Sequence, residues 1–392
     1  MNKNETSLPL TLLLGVLISL SALGTDLYAP ALPGLAASFA APVSAAQATV
    51  TTYFLGLAAG QLLWGPLSDR YGRKPVLLAA LVLMLAATAA AALAGSLPAV
   101  ATARLLQGAG MAGGVVIGRS IVRDLHAHEQ AARLLSRMML VFSLVPIAAP
   151  LAGAALASRA GWTAIFWAYA SVAGLLVVAV AAGLPETAAA RRAAPLAEIA
   201  RRLREILRDR RFVAPFLLVV GCQMAIICWV SNSAFALAAS GASMSQYGWM
   251  FAGVMLGQIA GAWISSRLVL RLGIARLLRA GGRIALAGGA AAAALAWAGV
   301  EHWLGIVAPF AVMLFGTALV IPNASAAALS PFPHAAGAAS SLMGAIGFAC
   351  GAAVSTLLGA AFDGTARPMA SVAALATLGV VICESTVRRG KA

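Results

Sequence analysis

Asp26 and Arg104 are ionisable residues set inside long apolar runs, and that placement singles them out. A charge within a hydrocarbon layer costs at least ~2.5–3.5 kcal/mol on insertion scales, so it normally faces a cavity or a partner. Counted at a helical rise of ~1.5 Å per residue, Asp26 lies about 27 Å along the first run, which starts near Leu8. Arg104 lies about 9 Å into the fourth, which starts near Pro98 and runs the other way. The two therefore reach comparable depth. Burial favours the protonated form of any carboxylate, and a neighbouring guanidinium favours the ionised form. Competition of proton, guanidinium and cargo for one carboxylate is the chemistry of proton-coupled exchange. Two plainer roles stay open: a helix-end residue at the interface for Asp26, and a clamp on backbone carbonyls for Arg104.

The elements that must carry these residues are long apolar helices. Twelve runs of roughly 20 residues each can be marked, starting at 8–27, 45–67, 75–94 and 98–118 and ending at 335–361 and 369–385. A run of ~20 residues spans a hydrocarbon core of ~30 Å. With the N-terminus inside, the segments on that side collect all but three of the 27 basic residues; only Arg104, Arg159 and Arg367 fall elsewhere. That asymmetry is the positive-inside pattern, and it predicts a multi-pass membrane protein with both termini in the cytoplasm. Apolar residues make up 61% and charged residues 10% of the chain, against roughly 25% charged in a soluble domain. The net charge of +15 belongs to the membrane flanks. Basic and aromatic residues are not interleaved as a nucleic-acid surface requires, so no nucleic-acid partner is expected. Cys222, Cys228, Cys350 and Cys383 sit in apolar runs without a CxxC or histidine companion and read as small buried residues. No metal site, nucleophile or phosphate loop is expected, which argues against an enzyme or a nucleotide-driven pump.

The sequence also repeats itself. Shifted by 201 residues, Gly56, Gly60, Arg70, Gly72 and Leu77 fall on Gly257, Gly261, Arg271, Gly273 and Leu278. Each copy carries a GxxxG pair, the spacing that lets two membrane helices approach closely. The reading is an all-α integral membrane fold of twelve transmembrane helices in two pseudo-symmetric six-helix bundles, 1–184 and 212–392. They are joined by a linker, 185–211, in which Leu196, Ile199, Leu203, Ile206 and Leu207 keep helical spacing among arginines. It predicts an amphipathic helix on the inner membrane surface.

Several motifs resemble those of the major facilitator superfamily. Gly65-Pro-Leu-Ser-Asp-Arg-Tyr-Gly-Arg-Lys-Pro-Val-Leu77 resembles its signature loop, Arg104-Leu-Leu-Gln-Gly-Ala-Gly110 its second motif, and Pro146-Ile-Ala-Ala-Pro-Leu-Ala-Gly153 the motif of its drug/proton antiporters. Asp26-Leu-Tyr-Ala-Pro-Ala-Leu-Pro33, Gly60-Gln61, Arg123-Asp124 and the stretch from Phe332 to Ser341 resemble the bicyclomycin- and chloramphenicol-resistance (Bcr/CflA) branch. The resemblance implies a latch of Gly65, Asp69, Arg70, Gly72 and Arg73, with Asp69 paired to Arg73 and to a span-four arginine, for which Arg123 is the nearest match. It further implies a seal at Pro146, Pro150 and Gly153, although Ala154 stands where a second glycine is often found.

The second half carries no charge deep in a run. Its polar candidates are Gln223, Ser231, Asn232, Gln258 and Asn323, near Trp229, Phe235 and Phe251. A mostly apolar cavity with one acid suits neutral or cationic amphipathic molecules. The expected substrate-binding set is Asp26, Tyr28, Gln107, Met111, Gln223, Trp229 and Asn232, with Asp26 and Arg104 coupling proton to substrate. The expected activity is proton-coupled drug efflux by a monomer in a bacterial inner membrane, driven by the proton gradient without a cofactor. Export of a natural metabolite and a non-transporting receptor are the rival readings.

Overall fold

A computed structural model describes residues 8–125, 128–188, 196–300 and 302–389. Lys3, His126, Arg191, Arg192 and Lys391 lie outside the described residues. The described chain is helical. Helix α1 (Leu8–Asp26) ends where Pro30 and Pro33 interrupt the backbone, passes through a 3-10 turn (Ala29–Ala31), and continues as the short α2 (Leu32–Ser38). There follow α3 (Val43–Tyr71), α4 (Arg73–Ala92), α5 (Leu97–Leu125) and α6 (His128–Gly183). Helix α6 is two passes in one, because Gly161 breaks it with φ 75° and ψ 179°.

After α7 (Leu196–Arg208) come α8 (Arg210–Ala239), α9 (Met244–Leu272), α10 (Ile274–Trp297), α11 (Trp303–Leu329), α12 (Ala336–Ala361) and α13 (Arg367–Arg389). Among the described residues nine helical segments are long and apolar enough to cross a membrane, α6 counting once for its two passes. Helices α3 and α10 complete the twelve. The first carries Gln47, Thr49, Thr51, Thr52 and Gln61, and the second begins with Arg276, Arg279 and Arg283, so their mean hydropathy is low for spans.

The internal repeat is visible as packing. Gly56 and Gly60 of α3 lie against the backbone of α5 at Leu105 and Ala109, and a Cβ on Gly60 would come within 2.7 Å of the Ala109 carbonyl. Gly257 and Gly261 of α9 lie in the same way against Ala311 and Phe315 of α11. In each copy the helix then turns through a glycine of positive φ, Gly72 at 100° and Gly273 at 75°, a conformation that costs little only without a Cβ. Equivalent residues thus make equivalent contacts in two six-helix bundles.

The bundles meet mainly along α3 with α12 and α6 with α9. Helix α7 is amphipathic as its spacing predicts. Its apolar face is docked on protein: Ile206 is buried with Phe212, Phe216, Ala328, Ala339 and Leu342 of the second bundle. Asp209 then caps α8 by accepting from the backbone N–H of Arg211 at 2.8 Å.

Candidate functional site

Between the bundles lies a cavity of about 500 Å³. Ser21, Thr25 and Asp26 of α1 and Gln61 of α3 face Gln223 of α8 and Gln258 of α9 across it. Phe54, Phe142, Ile227, Met343 and Phe348 supply much of the apolar wall. Arg119 and Ser340 line both this cavity and a second one of about 560 Å³ that continues it toward the end where the arginines cluster. There Asp69, Arg73, Arg123, Arg202 and His334 form the mouth.

The opposite end is closed by contacts between bundles. Gln47 of α3 donates to the Ser231 carbonyl at 2.6 Å and accepts from the Ser355 hydroxyl at 3.2 Å. Asn232 donates to the Leu358 carbonyl at 3.4 Å, and the Thr51 and Thr356 hydroxyls are 3.2 Å apart.

Asp26 is 4% exposed, lines the cavity, and accepts a hydrogen bond from the Thr25 hydroxyl at 3.1 Å. Among the described residues no ion pair reaches it. The expected contact with Arg104 is absent for a geometric reason. Arg104 is fully buried, and its guanidinium donates to the Gly24 carbonyl at 3.0 Å and to Gln107 Oε1 at 2.6 Å. Tyr28 and Tyr53 hold it at 4.2 and 4.0 Å from their ring centres, a cation–π contact on each. The last carbonyls of a helix lack intrahelical partners and carry partial negative charge. Arg104 satisfies one such carbonyl, while the hydroxyls of Tyr53 and Tyr169 donate to Ser21 and Leu23 at 3.0 Å each. Arg104 is the clamp on backbone carbonyls that its sequence also allowed.

Of the seven residues expected to bind substrate, the structure brings Asp26 and Gln223 to the cavity. The other five are engaged in helix packing. Tyr28 meets Thr49 at 2.7 Å beneath Arg104, Gln107 links Arg104 to the Thr88 hydroxyl at 2.8 Å, and Met111 accepts from the Tyr53 hydroxyl at 3.2 Å. Trp229 is wedged between Phe251 and Phe310, and Asn232 belongs to the closed end. Phe54, Phe142, Phe348 and Arg119 line the cavity with no signal in the sequence to mark them, since nothing in a uniformly apolar helix says which face meets the cavity. Arg119 was legible only as one more basic residue on the basic side.

At the mouth, Arg73 pairs with Asp69 and, at 2.8 Å, with Asp124. Arg123 does not join that pair. It donates to the Ser120 hydroxyl at 3.2 Å and packs against Gly337 of the other bundle. Arg70 stacks on Tyr71 instead. Glu186 accepts from the backbone N–H groups of Arg73 at 2.8 Å and Lys74 at 3.2 Å, the N-terminus of α4. Desolvation works against its charge, but these bonds and those from Ala188 and Thr187 outweigh it, holding the carboxyl below its ordinary range.

Pro146 lines the cavity. Gly153 is pressed against the Leu27 carbonyl, where a Cβ would collide. Gly248 of α9 receives Pro150, Leu151 and Ala154: its own Cβ would lie 3.1 Å from that of Ala154 and 3.3 Å from the Pro150 carbonyl. The motif therefore packs at the α6–α9 contact between bundles, and Ala154 fits there because the glycine is on the partner helix.

A polytopic two-bundle fold around a central cavity defines a membrane transporter. The profile of the Major Facilitator Superfamily matches residues 14–356, and the chain belongs to that family. It is 29% identical over 398 residues to a bicyclomycin resistance protein homolog of Haemophilus influenzae, covering 99% of this chain and 96% of the relative. It is 28% identical over 352 residues to a chloramphenicol resistance protein of Pseudomonas aeruginosa, covering 88% and 83%. It is 26% identical over 345 residues to multidrug resistance protein D of Escherichia coli, covering 88% and 86%. The fold is similar to that of the xylose transporter XylE from E. coli in a partially occluded inward-open conformation, with a TM-score of 0.76, 14% identity and 97% of each chain covered.

Proposed function

We propose that this chain exports amphipathic neutral or cationic drugs in exchange for protons, as a monomer in a bacterial inner membrane. The observation that carries this reading is Asp26, a carboxylate without an ion-pair partner among the described residues, lining a cavity whose other charged lining residue is Arg119 toward the mouth and whose remaining wall is apolar or neutral polar. A single acid there takes a proton or the cationic end of a substrate, and cannot hold both. The resistance and multidrug relatives support the substrate class. The clustering of arginines at the cavity mouth supports a cytoplasmic mouth with both termini on that side. The described form is then open inward, and Gln47 with its partners is the outer gate.

Cells carrying Asp26→Asn should lose resistance that the native chain confers across a panel of phenicol-type and cationic compounds, at unchanged membrane abundance. Purified native protein should release protons on drug addition, and the variant should not. Undiminished resistance in the variant would remove Asp26 from the mechanism.

A further inference from the structure

We infer that the cavity holds a second charge-reading site, Arg119, which takes the anionic group of aromatic zwitterionic substrates whose cationic end faces Asp26. The inference rests on the drug-export reading and narrows its substrate class. Arg119 stands on α5 at the junction of the two cavities, exposed to them. Its hydrogen bond, to the Ser340 hydroxyl, is long at 3.5 Å, and no carboxylate pairs with it among the described residues. The acids Asp69 and Asp124 are both committed to Arg73. Arg123, one turn along α5, is of like charge and leaves the demand for an anion unmet.

An unpaired guanidinium in a partly desolvated cavity is costly unless something answers it, and its planar fork matches a carboxylate in two-point contact. The spacing is set by packing. Gly118, beside Arg119, touches Leu17 and Ile18 of α1, and Asp26 lies eight residues further along that helix, on the order of 12 Å. Phe54, Phe142 and Phe348 line the cavity with both charges. A flat aromatic scaffold with a cation at one end and a carboxylate near the other meets all three features. A simple cation meets only two.

The test uses the purified full-length protein and a dye pair differing in one charge: tetramethylrhodamine, which carries a carboxylate and a delocalised cation, and its methyl ester, which carries only the cation. Binding is read by fluorescence polarisation. Arg119→Gln should weaken the zwitterion roughly tenfold, as loss of a charge-assisted bond implies, and leave the ester within about twofold. Arg119→Lys should restore part of the difference, and a thermal melt shows whether each variant is folded. Equal weakening of both dyes, or of neither, overturns the inference and makes Arg119 a gating residue. So does native protein that binds the ester through Asp26 but ignores the zwitterion, a result that spares the export reading. Binding of neither dye removes both.

Discussion

The guanidinium of Arg104 donates to the carbonyl of Gly24 at 3.0 Å, two residues short of Asp26 on the same helix. Arg104 therefore acts on the end of α1 that presents the acid, and not on the acid itself.

Removing Arg104 leaves the Gly24 carbonyl and Gln107 without their charged donor and empties a space between two tyrosines. Arg104→Ala should cost about 3–5 kcal/mol, since two charge-assisted bonds and a double cation–π contact go together. Arg104→Lys should recover less than half, because a lysine cannot stack as a plane between Tyr28 and Tyr53. Thermal melts in detergent check both. Because Arg104 holds the helix end that presents Asp26, the effects of Arg104→Lys and Asp26→Asn on stability should depart from simple addition.

Gln47 is the polar link that closes the far end, with one bond to Ser231 and one from Ser355. Gln47→Ala should destabilise that closed end by about 1–3 kcal/mol and shift the population toward forms open there. Spin labels placed at the ends of α3 and α12 beside Gln47 should read longer distances, and Gln47→Glu should lengthen them too, since a carboxylate cannot donate to the Ser231 carbonyl.

Gly153 has no room for a side chain against Leu27. Gly153→Ala should force the start of the 3-10 turn away from α6, disturbing both the bundle contact and the segment next to Asp26. Export should fall at least tenfold, about 1.4 kcal/mol in free-energy terms, while Ala154→Gly, which only removes a methyl from the Gly248 contact, should retain most of it. Transport in proteoliposomes separates the two.

Glu186 ties the linker to the N-terminus of α4, and its folded-state pKa lies below the ordinary value of 4.5. The sign follows from linkage: the tie is fully present above that ordinary value and is lost as pH falls through the depressed folded one. The mobility of a spin label placed at Thr187 should rise as pH is lowered below about 4.5, and Glu186→Gln should flatten that dependence.

The sequence by itself determined the spans, the repeat and the family, because each is written in order along the chain. Twenty-residue apolar runs, one-sided arginines and a GxxxG pair recurring with the same Arg-x-Gly survive any rotation of the helices. The amphipathic character of α7 was equally plain, since polar and apolar residues alternate there at helical spacing. Only the tertiary structure decided which side chains meet the cavity. In a membrane helix the lipid face and the packed face are both apolar, so the period that marks an inward face in a soluble helix is weak. Trp229 and Gln107 carry the right chemistry for a site yet are turned into helix contacts, while Phe142 and Arg119 are turned into the cavity. Those rotations are fixed by close approaches such as Gly56 on Leu105 and Gly153 on Leu27, contacts between residues far apart in the chain. For the same reason depth along two helices brought Asp26 and Arg104 level, but the direction of one guanidinium, toward Gly24, was settled by the break in α1 that left a carbonyl to be capped.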